Sequence, residues 1–442
     1  MLDPSWRQGK RNKKKVWGVQ VIKKQAFAIG CVVALQACLP VPDLASRGAT
    51  APTALAAAQP SGDASATITD LIDRRSVIYG GPYQDVMDAV LAANAGAAGA
   101  DLRAAKLRAE ARASNWLPTL GPNISLTSLG DVVTSLVVEQ VLFDNGRKKA
   151  ERDYAAADVE VAAVTLSQDT NDRVLAALTL YLTAQAADAR AQVNADAMER
   201  MTHFEYVMAE RVKGGVSTQV DHQIVQQKHN QMLSEMASDT EASAAAMAEL
   251  AAMAGGAIVG VSGLSDISTE FLAEPLSVTK ARAESARVLA EAQAARAGFL
   301  PGLTASGALG GEGTLSLGAA NGFGFGTGAN LRALDQQKAA SQARVAQVQE
   351  DANRKLAALE GQLASLLRQD AQAQTIAAQA AANYEVYAQQ QRAGQRAVPE
   401  VVGVFETKVR SEREAAGLRF DAAKVALKIA ALRGVLVSGD AI

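Results

Sequence analysis

Two short patterns each occur twice in this chain, and the two repeats keep nearly the same spacing. Leu117-Pro118 corresponds to Leu300-Pro301, an offset of 183 positions (301 − 118). The turn at Gly215 corresponds to a turn at Gly394, an offset of 179 positions (394 − 215). Unrelated patterns kept at one spacing indicate a duplicated unit of about 180 residues, which is far longer than the repeats of solenoid proteins. Each copy is therefore predicted to be a large structural half.

The composition favours long helices over a compact α/β enzyme. Aromatic residues make up only 4% of the 442 residues, alanine and glutamine are abundant, and no proline lies between positions 123 and 274. Long helices that pack through small side chains have this composition.

The N-terminus predicts an export signal over residues 1–38. Residues 1–24 carry eight basic side chains and one acidic one, and a short apolar run covers 26–34. A basic segment followed by an apolar run too short to span a bilayer is typical of a secretory signal. Cys38 is a candidate for lipidation, although Gln36 is unusual before such a cysteine. Cleavage nearby without a lipid and a misassigned start codon are the alternatives, and a basic nucleic-acid arm is the least favoured interpretation.

The exported part is predicted to lack disulfides and thiolate metal sites, because Cys31 lies within the signal. Without residues 1–38, 36 basic (44 − 8) and 45 acidic (46 − 1) side chains remain, a formal charge near −9. No basic patch for nucleic acid is visible. Residues 39–80 are rich in Ala, Pro, Ser, Thr and Gly and predict a flexible tether.

The first repeat, residues 81–260, predicts helix, β-hairpin, long helix, tight turn and returning helix. A helix over 83–113 stops at Leu117-Pro118. Apolar and β-branched segments within about 121–143 predict two strands long enough to cross a bilayer at a tilt. Residues 147–212 contain neither proline nor glycine, so they predict a helix on the order of 100 Å long, which needs coiled-coil partners. A tip at about 213–218 then reverses the chain.

The second repeat, residues 276–442, follows a linker over 261–275 and has the same order. It predicts a helix over 276–297, strands within about 302–328, a long helix over 330–391, a tip at about 392–398 and a last helix over 398–436. Its β segment is rich in glycine, so short or irregular strands are expected. The predicted fold class is mainly α with two inserted β-hairpins, built from a duplicated helix–β-hairpin–long helix–turn–helix unit.

Four membrane-length strands cannot close a barrel, because open edges in lipid would leave backbone groups unpaired. Three copies would supply twelve strands, which lies within the range of outer-membrane barrels. The layout therefore predicts a trimer with a 12-stranded β-barrel.

The same motifs resemble the TolC-like outer-membrane efflux proteins. They are the Leu-Pro break before each strand pair, the stretch 142–147 that opens the first long helix, and the two glycine turns at the tips. The resemblance covers about residues 83–436. It implies a trimeric outer-membrane β-barrel continued by a long periplasmic α-helical coiled-coil barrel. It further implies a passive exit duct of a tripartite export system, with a periplasmic adaptor and an inner-membrane ABC or RND-type pump. Type I protein secretion and multidrug efflux both remain open, and the stretch 394–403 is especially similar to the secretion members.

The resemblance also implies roles for the two hairpin tips, which would face the adaptor and close the tunnel. Glu400 matches the position of a carboxylate ring at the tunnel entrance; the alternative is an ordinary acid at a helix start. An ion pair between Asp221 and Arg396 of neighbouring hairpins is a further expectation. The family's tyrosine near the second tip falls on Gln391, so one tunnel-locking hydrogen bond is expected to be absent. The adaptor-facing residues would be Gly214, Gly215, Val216, Ser217, Thr218, Gly394, Gln395 and Ala397.

No catalytic, cofactor or metal site is predicted. The glycines at 322–328 do not match a phosphate-binding loop. His222 and His229 lie two turns apart and lack a third ligand, and His203 is the only other histidine. No nucleophile–base arrangement is recognisable.

Two other functional classes fit parts of the sequence. A structural periplasmic coiled-coil protein without a pore would explain the helices but not two β-hairpins at equivalent points. A periplasmic adaptor would need one helical hairpin between β-rich flanks, and this chain has two hairpins.

Overall fold

The computed structural model describes residues 65–126, 132–267, 273–309, 314–320 and 324–441. The predicted signal with Cys38, and the predicted tether before Ser65, lie outside the described residues.

The first repeat has the predicted order of elements, with one additional break. A short helix α1 precedes it, and two helices follow in place of the single one predicted over 83–113. The elements are α1 (Ala66–Asp73), α2 (Gly81–Ala92), α3 (Ala97–Ala113), β1 (Thr119–Leu126), β2 (Val132–Phe143), α4 (Arg147–Lys213) and α5 (Gln219–Ala254). The break falls at Gly96, which adopts a left-handed conformation with φ +66° that an ordinary helical residue avoids.

The second repeat also has the predicted order. Its elements are α6 (Leu276–Gly298), β3 (Gly302–Leu309), β4 (Thr314–Ala320), α7 (Thr327–Arg392) and α8 (Val398–Leu432), followed by a 3₁₀ turn (Gly439–Ala441). The long helix begins three residues earlier than predicted, and α8 ends four residues earlier, before Gly434 takes a positive φ. The two glycine-rich strands are 8 and 7 residues long, shorter than the 12 residues of β2.

The four strands form one antiparallel sheet in the order β1-β2-β3-β4. β2 and β3 are neighbours although α4, α5 and α6 lie between them in the chain, so the two hairpins join side by side. A register shift interrupts their pairing between Val141 and Phe143. Within the described strands, β1 and β4 each pair on one side only.

The helix α4 is the centre of the helical part and packs against α3, α5, α6 and α8. Its buried side chains contribute to three apolar clusters at different heights, two of which lie in its middle and near its C-terminal end. The mid-helix cluster is built around Tyr83, Leu178, Tyr181, Leu250 and Leu427, and the tip cluster around Met201, Phe204, Val225, Tyr384 and Phe405. Each cluster contains residues of both repeats, so the two repeats share one core.

Residues 65–80 differ from the predicted flexible tether. Leu71 of α1 is buried in an apolar cluster with Leu102 and Leu276. Arg74 is buried and donates from Nη1 to the Arg433 carbonyl at 2.6 Å, and Ser76 Oγ donates to the Leu436 carbonyl at 2.6 Å. The composition of residues 39–80 does not reveal this packing, because a few apolar and hydrogen-bonding side chains within a polar stretch suffice to fix its last part.

Candidate functional site

The first hairpin tip is a short turn between α4 and α5. Gly215 has φ +72°, its N–H donates to the Val212 carbonyl at 3.0 Å, and the Val216 N–H donates to the Arg211 carbonyl at 2.8 Å. This pair of bonds is the Schellman arrangement, in which a glycine in the left-handed region ends a helix. The turn therefore depends on a residue without a Cβ atom at Gly215.

The second tip, between α7 and α8, uses the same geometry. Gly394 has φ +76°, its N–H donates to the Gln391 carbonyl at 2.9 Å, and the Gln395 N–H donates to the Gln390 carbonyl at 2.9 Å. The duplication that the sequence predicts thus extends to the hydrogen bonds of the turns.

The two tips differ in how the next helix begins. At the first, Thr218 Oγ1 accepts from the Asp221 N–H at 3.2 Å and the Asp221 carboxylate accepts from the Thr218 N–H at 3.1 Å. This capping box satisfies two helix-end donors reciprocally. At the second tip the N-cap is Ala397, whose side chain accepts no hydrogen bond, and Pro399 follows within the first turn. The second helix start is therefore less firmly capped.

Arg396 contacts both helices of the second tip. Its guanidinium donates to Glu400 Oε2 at 3.1 Å and to Gln390 Oε1 at 3.0 Å, and it lies 4.7 Å from the centre of the Tyr387 ring. Gln390 and Tyr387 belong to α7 and Glu400 to α8. One side chain thus connects the two arms of the hairpin by an ion pair, a hydrogen bond and a cation–π contact.

The expected Asp221–Arg396 pair does not form within the chain, where the two side chains use different partners. Asp221 is hydrogen-bonded to Thr218, and Arg396 forms an ion pair with Glu400. A pair between neighbouring copies stays a prediction. Sequence reasoning missed Tyr387, which lies one helical turn before Gln391 and is the aromatic that Arg396 contacts.

Both tips lie at the same end of the helical part, because the tip cluster joins them. Phe204 of α4 and Phe405 of α8 meet edge-to-face with ring centres 5.7 Å apart, and Tyr384 of α7 lies 5.0 Å from Phe405. Burial raises the pKa of Tyr384 above its ordinary value. The arms of the two hairpins are thus packed in one apolar core next to the turns.

A layer of charged side chains separates the tip cluster from the mid-helix cluster. The Asp239 carboxylate on α5 binds Arg190 Nε of α4 at 3.1 Å and Arg413 Nη2 of α8 at 2.8 Å. Glu235 lies 3.6 Å from Arg413 Nη1. We call Arg190, Glu235, Asp239 and Arg413 the ionic layer. It connects three helices where the flanking layers are apolar, and Asn194, fully buried, lines the cavity beside it.

The sheet has a leucine-rich face, which we call apolar, and a face that carries most of its hydroxyl groups together with Val137 and Val141, which we call polar. The register pairs Leu120 with Val138 and Ala305 with Leu317, and alternation places these side chains on one side. The opposite side carries hydroxyl groups, with Ser306 Oγ and Ser316 Oγ hydrogen-bonded at 2.7 Å and Thr304 Oγ1 donating to the Gly318 carbonyl at 3.3 Å. The apolar side is exposed: Leu120, Leu136, Leu303, Leu315 and Leu317 all present their side chains to the surroundings.

Other candidate groups have ordinary surroundings. His229 Nδ1 lies 2.8 Å from Glu205 Oε2. In the described ranges, no group of three or more His, Cys, Asp or Glu residues has the geometry of a metal site. Across the same ranges, no helix combines the length and apolar character needed to cross a lipid bilayer.

No protein-family model matches the sequence, and no curated protein sequence matches it. The fold, however, is similar to that of several solved proteins. A membrane protein from Pseudomonas aeruginosa superposes with a TM-score of 0.70 at 17% identity, covering 87% of this chain and 96% of that one. The outer membrane protein VceC of Vibrio cholerae gives 0.69 at 14% identity, covering 80% and 96%.

The open state of the MtrE outer membrane channel of Neisseria gonorrhoeae gives a TM-score of 0.70 at 15% identity, covering 84% of this chain and 93% of that one. The similarity spans nearly the whole of each of these proteins. The chain therefore has the fold of the TolC-like outer-membrane channels.

Proposed function

We propose that the protein is a passive exit duct of the bacterial outer membrane, formed by three copies of this chain. The duct belongs to a tripartite export system, in which a periplasmic adaptor and an inner-membrane pump deliver cargo to the helical tunnel. The cargo is a protein in type I secretion or a small toxic compound in multidrug efflux. No step of this function is enzymatic.

The two-faced sheet is the observation that carries the proposal. An exposed row of leucines on one face and hydroxyl groups on the other suit a wall between lipid and water. A water-soluble protein rarely exposes so continuous an apolar surface. A structural coiled-coil protein without a pore would have no use for this wall.

The free edges of β1 and β4 support the trimer. An unpaired strand edge cannot face lipid, since its N–H and C=O groups would lack partners. Pairing β4 of one copy with β1 of the next removes every edge after three copies, which gives twelve strands. The apolar face then points outward around the whole barrel.

The tips are proposed to form the periplasmic gate and the adaptor-facing end. Three copies of the Arg396–Glu400 pair would surround the axis at the tunnel entrance, with the turn residues around Gly215 and Gly394 exposed to the adaptor. Arg396 restrains the tip, and the Glu400 ring attracts cations. Acylation of Cys38 would add a lipid anchor next to the membrane.

The experiment is single-channel recording of the purified protein in planar bilayers, after crosslinking and heat-modified gel migration establish the oligomer. Wild-type protein should give cation-selective conductance from crosslinkable trimers of the outer-membrane fraction. Glu400→Gln should lower the cation selectivity and weaken block by multivalent cations. Glu210→Gln, which removes an exposed carboxylate at the first tip, is the matched control and should change neither. Protein that is monomeric and never conducts would refute the proposed function.

A further inference from the structure

Glu139 is the only charged residue in the four strands of the sheet. The strands β1, β3 and β4 contain none, and β2 contains this single carboxylate among apolar residues, hydroxyl residues and one glutamine. A charge is expensive on a surface that faces lipid. The position of Glu139 therefore depends on which face of the sheet is turned away from lipid.

The register places Glu139 on the polar face. It lies opposite Thr119 of β1 and opposite Ser306 of β3, and Ser306 is hydrogen-bonded to Ser316 on the same side. Its chain neighbour Val138 lies opposite Leu120 and Gly307, on the apolar side. Because β2 and β3 are the inner strands of the sheet, Glu139 stands in the middle of the polar face and not at an edge.

The carboxylate is exposed, and no ion pair to it exists within the described part of the chain. It lines a cavity of about 330 Å³ where the sheet meets α4, together with Asp144, Arg147, Lys148 and Glu151. One of the two cationic groups of this cavity is already engaged, since Arg147 Nε binds Glu151 Oε1 at 3.1 Å. Asp144 accepts the N–H groups of Gly146 at 3.0 Å and Lys148 at 2.7 Å as a helix cap. Lys148 is the remaining cationic group of this cavity, so the negative charge of Glu139 is at most partly balanced.

We propose that Glu139 forms a second cation-attracting ring, located in the barrel lumen close to the helical tunnel. This inference rests on the proposed function, because the ring exists only when three copies close. The ring would set the ion and cargo preference of the barrel independently of the Glu400 ring at the opposite end. It favours positively charged permeants and disfavours anionic ones.

The expected size of the effect follows from simple electrostatics. Three charges about 10 Å from the axis in water, screened at 0.1 M salt, raise the local concentration of monovalent cations about two-fold and lower that of anions by the same factor. Removing the ring should therefore lower the cation-to-anion permeability ratio about four-fold at that ionic strength. At 1 M salt, where the screening length is about 3 Å, the difference should disappear.

Reversal potentials in a salt gradient test this ring, with Glu139→Gln as the variant. The transposed variant E139Q/S306E returns the carboxylate to the same face on the adjoining strand, and it should restore the selectivity. Trivalent hexamminecobalt added on the barrel side should block the wild type more strongly than Glu139→Gln, whereas Glu400→Gln should retain the barrel-side block.

The outcomes separate the two proposals. Conducting Glu139→Gln trimers with unchanged selectivity at low salt would overturn the ring and leave the duct intact. Selectivity lost in Glu139→Gln but not recovered in E139Q/S306E would also overturn it, because the residue would then act through local structure. Wild-type protein that does not conduct would overturn the proposed function itself.

Discussion

Removal of the Asp239 carboxylate should destabilise the helical part more than any exposed ion pair can. Asp239 is 8% exposed and binds both Arg190 and Arg413, so Asp239→Ala leaves two guanidinium groups without their shared anion. Breaking a buried ion pair from one side costs about 3–5 kcal/mol. Arg190 is partly solvated and can recover water, and Arg413 keeps Glu235 at 3.6 Å, so the lower end of that range, about 3 kcal/mol per chain, is expected.

The assay is the thermal unfolding of the detergent-solubilised protein, followed by helical circular dichroism at fixed scan rate and protein concentration. About 3 kcal/mol corresponds to a lowering of the apparent Tm by about 6–12 °C for a large domain. The matched control is Lys213→Ala, which breaks a pair of 2.7 Å whose lysine side chain is 72% exposed. Water and salt screen this exposed pair, so the Tm of Lys213→Ala should stay close to that of the wild type.

A second variant separates the loss of an ion pair from a general packing defect. Replacing Asp239 with leucine and Arg413 with methionine removes the carboxylate and the more buried of its two cationic partners. Only the partly solvated Arg190 then lacks its anion, so part of the lost stability should return. If Asp239→Ala is no more harmful than Lys213→Ala, the ionic layer does not stabilise the structure, and the reasoning from burial and pairing is wrong.

Three further predictions concern the turns, the gate and the core. Gly215→Val and Gly394→Val place a β-branched residue at a positive φ, and each should abolish export while trimers remain in the outer membrane. Export assays and gels of the same cells check this, and normal export in both variants would contradict the role of the tips. Arg396→Ser removes the link between the arms of the second hairpin and should raise single-channel conductance, whereas unchanged conductance would show that the tip is held elsewhere. Burial raises the pKa of Tyr83 and of Tyr181 to about 12, so stability should be intact below pH 10 and fall between pH 10 and 12, where only the unfolded state ionises. Tyr181→Phe should make the free energy of unfolding, measured by urea titration at each pH, fall less steeply between pH 10 and 12. An unchanged dependence on pH would count against the burial argument.

The order of elements could be predicted because glycine and proline mark nearly every boundary. Leu117-Pro118 and Leu300-Pro301 separate helix from strand, and the glycines at 215 and 394 end the long helices. The break between α2 and α3 was missed, since the pattern over 83–113 is helical on both sides and one Gly96 is tolerated in many helices. The glycine-rich β3 and β4 form strands despite low propensity, because β3 pairs with the edge of β2 and β4 pairs in turn with β3.

The candidate site could be predicted only in part. The turn glycines follow from the duplication. The partners of Arg396, however, depend on the relative rotation of α7 and α8 about their axes, which the sequence alone does not specify. The ionic layer leaves a faint signal: Val225, Met232, Asp239 and Ala246 recur every seven residues and are all buried. An acid in an apolar heptad predicts a polar core layer, but its partners on α4 and α8 become visible only when the helices are packed.

Disulfide crosslinking between the two free strand edges tests the trimeric barrel most directly. The variants carry one cysteine at Gly121 on β1 and one at a position along β4, in a background in which Cys38 is replaced by serine. The strand order β1-β2-β3-β4 keeps these two cysteines too far apart to join within one chain. Oxidation of cells should produce covalent dimers and trimers in the outer membrane, for at least one position on β4, and no species larger than three chains. Outer-membrane protein that stays monomeric at every position, or a ladder that continues beyond three, would contradict the closed barrel of three chains.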